Sequence, residues 1–106
     1  MDHSFALIEN MTERIEIPED GILTKTHFED EYVKVVLFGF SAGQELSEHT
    51  SSKAATLQFV SGEASVRLGD KEAIASQGTW IYMPPHLPHT IKAKTPVAML
   101  LVLMKS

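Results

Sequence analysis

The sequence predicts a small all-β domain, built as a sandwich or a closed barrel. Two observations point there. From Gly21 onward, short runs rich in β-branched and aromatic residues follow one another at close, even spacing, separated by Gly, Pro, Asp and Ser turn signals. In the same stretch no segment carries a helical period. The length of 106 residues suits one domain over 1–106, with one core. The hydrophobic fraction of 43% is enough to offset the entropy of ordering the chain.

The first twenty residues read as an arm, leaving 21–106 as the barrel. Phe5, Ile8 and Met11 would form one apolar stripe on a short helical turn, too short to stand alone. Pro18-Glu19-Asp20-Gly21 is a turn signal. Ile22 to Phe28 reads as the first strand, and Glu29-Asp30-Glu31 as a polar turn. Tyr32 to Phe40 is the second strand, broken by Ala42-Gly43. Glu45 and Glu48, ahead of His49 in a loop, read as a solvated face; the alternative is that Glu48 orients the His49 ring. Ala55 to Val60 is the next strand, ended by Ser61-Gly62. Ala64 to Leu68 and Glu72 to Ala75 flank the tight turn at Gly69-Asp70. Thr79 to Met83 follows, then Pro84-Pro85-His86-Leu87-Pro88, where the prolines remove ladder donors and forbid regular structure. His89 to Ala93 and Val97 to Met104 complete the series.

Two of these strands, Val35 to Phe40 and Val97 to Met104, are apolar on both faces. An antiparallel strand with one wet face would alternate. Something therefore covers the second face, and the expectation is a homodimer. The other reading is that the arm folds over that face.

Composition excludes several functions. The chain has no cysteine, so disulfides, thiolate metal sites and cysteine nucleophiles are ruled out. Its formal charge is −5 and its nine basic residues are scattered, so nucleic acid is not an expected partner. The longest apolar run, eight residues from Val97 to Met104, is far short of the roughly 18 a membrane span needs. Met1-Asp2-His3-Ser4 lacks the features of a signal peptide, and the protein is expected in the cytoplasm. No nucleophile elbow accompanies Ser47, Ser51 or Ser52, so a hydrolase is discounted.

Two segments carry the candidate chemistry. One runs from Gly43 through His49 to Gly62, the other from Gly78 through Pro84 to His89. Together they resemble the two motifs of the cupin superfamily. The first motif is a glycine, five residues, His-x-His, three or four residues, Glu, six residues and a glycine. Gly43, His49 and Gly62 fall on it, while Ser51 and Ala55 stand where the second histidine and the glutamate would be. The second motif is a glycine, five residues, Pro-x-Gly, two residues, His, three residues and Asn. Gly78, Pro84 and His89 match, with His86 in place of the glycine and Ala93 in place of the asparagine.

The resemblance implies a double-stranded β-helix, the cupin or jelly-roll barrel, with His49 and His89 pointing inward. Strand alternation then turns Ala55, Leu57, Phe59, Ile91 and Ala93 inward as well. The expected site is a small-molecule pocket lined by Ser51, Leu57, Phe59 and Ile91. His49 and His89, with His86 recruited as a third imidazole, would suit a divalent transition metal such as zinc, nickel, copper or iron. On that reading an enzyme of this kind would be a metal-dependent oxygenase or isomerase. The alternative is a non-catalytic ligand-binding or sensing module. His3 and His27 read as surface histidines. Trp80 and Tyr82 share one strand face and read as core or dimer contact, the alternative being a platform that stacks on a sugar or aromatic ligand.

Overall fold

A computed structural model describes residues 4–105. Its elements, in order, are α1 (Met11–Arg14), β1 (Ile22–Glu29), β2 (Val33–Phe40), β3 (Glu45–His49), β4 (Ala55–Ser61), β5 (Ala64–Leu68), β6 (Lys71–Ala75), β7 (Trp80–Met83), β8 (His89–Ala93) and β9 (Val97–Met104). The strands pair antiparallel into two sheets, β1-β2-β9-β4-β7 and β3-β8-β5-β6. One core cluster draws side chains from both sheets, so the sheets close face to face as the jelly roll expected from the sequence. Its largest fully buried members are Phe40, Phe59, Leu57, Met99 and Val97. Each such side chain contributes about 1.5–3 kcal/mol by leaving water.

Alternation decides which residues enter this core. Along β4, Ala55, Leu57 and Phe59 are buried; along β8, His89, Ile91 and Ala93 are. Two turns set the register. Gly69 alone has positive φ in the two-residue loop between β5 and β6, the pattern of a type II′ hairpin turn. At the β1–β2 tip, Asp30 Oδ1 accepts from the backbone N–H groups of Tyr32 at 2.8 Å and Val33 at 3.0 Å. Those two bonds, Val33 first, hold the Asp30 carboxyl below its ordinary pKa.

The solvated loop expected at residues 45–48 is instead most of strand β3. β3 is an edge strand with one neighbour, β8, and only Leu46 of its apolar residues packs on the core. An edge strand so exposed shows no alternation for a sequence to display.

The arm crosses the outward face of the five-stranded sheet. Asn10 caps α1 by accepting from the Glu13 N–H. Ile8, Met11 and Ile15 pack with Leu37, Val60, Ala98 and Leu100. The apolar stripe is therefore shifted one turn from the expected one: Ile15 joins it, and Phe5 is left 81% exposed. The arm thus covers part of the second apolar face. Its close approach needs Gly39, because a Cβ there would collide with the Glu16 carbonyl.

Two outcomes follow. Gly39→Ala should lift the arm, raising amide exchange and proteolysis around residues 4–16 while the barrel stays folded; unchanged protection of the arm would contradict this packing. Asp30→Ala should lower the unfolding midpoint at neutral pH. A depressed folded pKa gives stability that is present above the unfolded value and lost as pH falls through the folded one. Thermal melts of the two proteins should therefore converge in strong acid, and a gap independent of pH would count against the carboxylate.

Candidate functional site

The two motif histidines meet. His89 opens β8, and alternation along that strand turns it inward with Ile91 and Ala93; it is 6% exposed. His49 ends β3 and reaches the same face by a different route. Leu46 pairs with Ile91, but the register then slips, and His49 rather than Glu48 stands opposite His89. That β-bulge adds one residue to β3 and re-aims the end of the strand. Without it, strict alternation would put Glu48 beside His89 and His49 on the outer face. Across the next strand His89 faces Leu68, the last residue of β5. The pair therefore lies on the last rung of the four-stranded sheet, at the mouth of the barrel.

The rings touch edge to face, with centroids 4.2 Å apart and planes at 61°. Each Nδ1 lies within hydrogen-bond distance of a backbone carbonyl two residues earlier: Ser47 at 3.0 Å for His49, Leu87 at 2.9 Å for His89. A carbonyl oxygen only accepts, so each Nδ1 carries the hydrogen. In the neutral rings both Nε2 atoms then present a lone pair. Among the described residues no buried side-chain nitrogen or oxygen lacks a partner. His89 Nε2 has no partner among the described residues, so that atom is not sealed from solvent although the residue is buried. The His49 ring is held by the Ser47 carbonyl, which takes the orienting role that the alternative reading gave to Glu48.

Other expected site residues lie elsewhere. His86 does not complete a third imidazole position: among the described residues no group of three or more His, Asp or Glu could hold a metal ion. It is exposed, and its N–H is bound to the Ser51 carbonyl. It also has φ of 69°, the one positive value among the described residues other than glycines. The backbone thus keeps the left-handed conformation that suits the motif's glycine, and His86 fills it with a side chain. Ser51 is half-buried, and its Oγ accepts from the Lys53 N–H. Leu57, Phe59 and Ile91 are packed into the core, at 1%, 0% and 3% exposure. His27 is half-buried, beside the bulge between Thr26 and Phe28, and His3 lies outside the described residues. Trp80 and Tyr82 are not core; both are exposed on the outward face of β7.

One surface escaped the sequence reading. On the outward face of the four-stranded sheet, Glu45, Arg67, Glu72 and Lys92 edge a shallow groove of about 590 Å³. It carries charges of both signs, two cations on the central strands between two carboxylates on the edge strands, which in a sequence is indistinguishable from an ordinary solvated face.

The arrangement of two sheets is matched by known proteins. The model of the cupin domain family aligns with residues 36–103, more than half of the chain. The chain belongs to the cupin domain family. Among solved structures, this cupin is similar to a conserved Streptococcus pyogenes protein of unknown function. That likeness has 27% identity, TM-score 0.83, and covers 100% of this chain and 91% of the other. An RmlC-like cupin from Desulfovibrio desulfuricans shares 25% identity over 99% of this chain and 98% of its own, with TM-score 0.77. A cupin superfamily protein from Desulfitobacterium hafniense, at 23% identity, matches in fold with TM-score 0.83 over 89% of this chain and 86% of its own. A search of curated proteins returns no match.

The two histidines should differ in their effect on stability. His89→Ala leaves the Leu87 carbonyl without its donor in a part-buried place and should cost about 1–3 kcal/mol. His49→Ala removes an exposed side chain and should stay within about 0.5 kcal/mol. Urea unfolding of both variants checks this, and equal costs would refute the asymmetry.

Proposed function

We propose that this cupin is a small-molecule-binding module whose ligand is held at the mouth of the barrel by His49 and His89. The observation that supports the reading is the paired anchoring of the rings. Each Nδ1 is committed to a backbone carbonyl, so both Nε2 lone pairs are left for a guest. Two such acceptors side by side suit a ligand with adjacent O–H or N–H donors. The buried core beneath, which includes Leu57, Phe59 and Ile91, gives the rigid support that holds the acceptors in place.

The same ring anchoring is the one seen where histidines bind metals, since a donated Nδ1–H fixes the tautomer and frees Nε2. His49 and His89 would hold zinc, nickel, copper or iron through those two atoms. Catalytic zinc sites use three protein ligands, and the described residues bring two imidazoles together and no carboxylate. The donor set thus does not fit a resident catalytic metal by itself. A ligand would have to complete the coordination. For this reason the binding or sensing reading is favoured over the metal-dependent oxygenase or isomerase, and no chemical step is assigned to the pair.

The test is a thermal-shift screen of polyols, sugar acids and phenols on metal-free protein. A compound at a hundredfold excess over its Kd should stabilise by about 2.7 kcal/mol, and the shift should vanish in His49→Ala. Hits that survive both His49→Ala and His89→Gln would defeat the proposal. Zinc titrated by calorimetry should bind weakly and only with both histidines present. Stoichiometric metal retained through dialysis in untagged protein would return the resident-metal reading.

A further inference from the structure

We propose that the groove on the outward face of the four-stranded sheet is a second binding site, for a small organic diacid that sets one carboxylate on Arg67 and the other on Lys92. Register and alternation build the groove. One rung of this face runs Glu45, Lys92, Ser65 and Ile74 across β3, β8, β5 and β6. The neighbouring rung runs Thr90, Arg67 and Glu72 across β8, β5 and β6. Residues directly opposite on antiparallel strands share a face, so the two rungs form one surface. The short side chains, Ser65 and Thr90, stand among long ones, which leaves a hollow of about 590 Å³ with hydroxyls at its floor. The other side of the same strands, with Val66, Ile91 and Ala93, belongs to the core, and His89 is on that inward side. The groove and the histidine pair therefore lie on opposite faces of one sheet.

Both cations are uncommitted. Glu45 stands directly opposite Lys92 and Glu72 directly opposite Arg67, yet neither pair closes: among the described residues the one salt bridge joins Lys105 to Glu29. Arg67 is steadied instead by its own backbone, its Nε donating to the Gly69 carbonyl at 3.2 Å. That bond leaves the two terminal nitrogens of the guanidinium for a carboxylate. The half-buried Ser65 and Thr90 hydroxyls make no hydrogen bond among the described residues and add two more donors. Spacing selects the class of guest. Arg67 and Lys92 are diagonal neighbours on adjacent rungs, a separation of about 7–8 Å at the backbone. One compact anion engages one of them, whereas two carboxylates on a short carbon spacer engage both. Ile74, 54% exposed, walls the groove and gives that spacer an apolar contact. Glu45 and Glu72, on the edge strands, limit the length of the guest and repel polyanions.

Succinate titrated into the isotopically labelled full chain should move the amide resonances of Ser65, Arg67, Thr90 and Lys92 along a single saturating curve. Arg67→Gln and Lys92→Gln change exposed side chains and should leave the thermal melt intact, yet each should raise the succinate Kd at least tenfold. Glu72→Gln should lower it, because a competing negative charge beside Arg67 is removed. Acetate and inorganic phosphate should bind at least tenfold more weakly than succinate. His49→Ala should leave succinate binding unchanged, which separates this groove from the mouth of the barrel. Equal affinity for the three anions would overturn the proposal. So would succinate shifts centred on His49 and His89, or binding that neither cation substitution weakens.

Discussion

The five-stranded sheet is apolar on both of its faces, and much of the architecture responds to that constraint. A strand offers its side chains alternately to two sides, so residues such as Phe38 and Leu37, or Met99 and Leu100, need two separate places to hide. The inward set meets the four-stranded sheet and makes the core. The outward set takes the arm, which is why a four-residue helical turn with no buried residues of its own is present at all. Packing on the sheet supplies what so short a helix lacks in intrinsic stability.

The candidate site depends on a smaller irregularity. A regular β3 would have carried His49 to the outside, and one extra residue between Leu46 and His49 brings the ring onto His89. The backbone then does the fine positioning. Both rings are tied through Nδ1 to backbone carbonyls two residues earlier, so their orientation follows from local backbone geometry rather than from a neighbouring carboxylate. Rings fixed in this way lose little further freedom when a guest arrives, which is the condition for selective binding.

The departures from the family pattern are consistent with one another. Where the cupin motifs carry Glu and Asn, this chain has Ala55 and Ala93, both sealed in the core at 3% and 1% exposure. Small apolar residues there require no polar partners in the interior. Ser51 and His86, at the other two altered positions, are joined through the backbone, carbonyl to N–H, and among the described residues His86 forms no metal-binding group with the imidazole pair. The substitutions together remove ligands from the barrel and leave a simpler, two-nitrogen mouth.

Much of the fold was legible in the sequence. The bounds of β5, β8 and β9 coincide with those read from residue types and turn signals, since their alternation or continuous apolarity has no other easy interpretation. The inward placement of Leu57, Phe59 and Ile91 was legible too, but not that they would be packed core rather than the wall of a pocket. Residue identity together with the period of two determined which strands exist and which side of each is apolar. Tertiary structure alone decided four things: that the exposed segment 45–49 pairs as an edge strand, that a bulge there sets His49 beside His89, that His86 stays outside, and that the arm closes over Gly39. The reason is physical: hydrophobic periodicity is written locally along the chain, whereas register slips and backbone close approaches arise only between segments far apart in it.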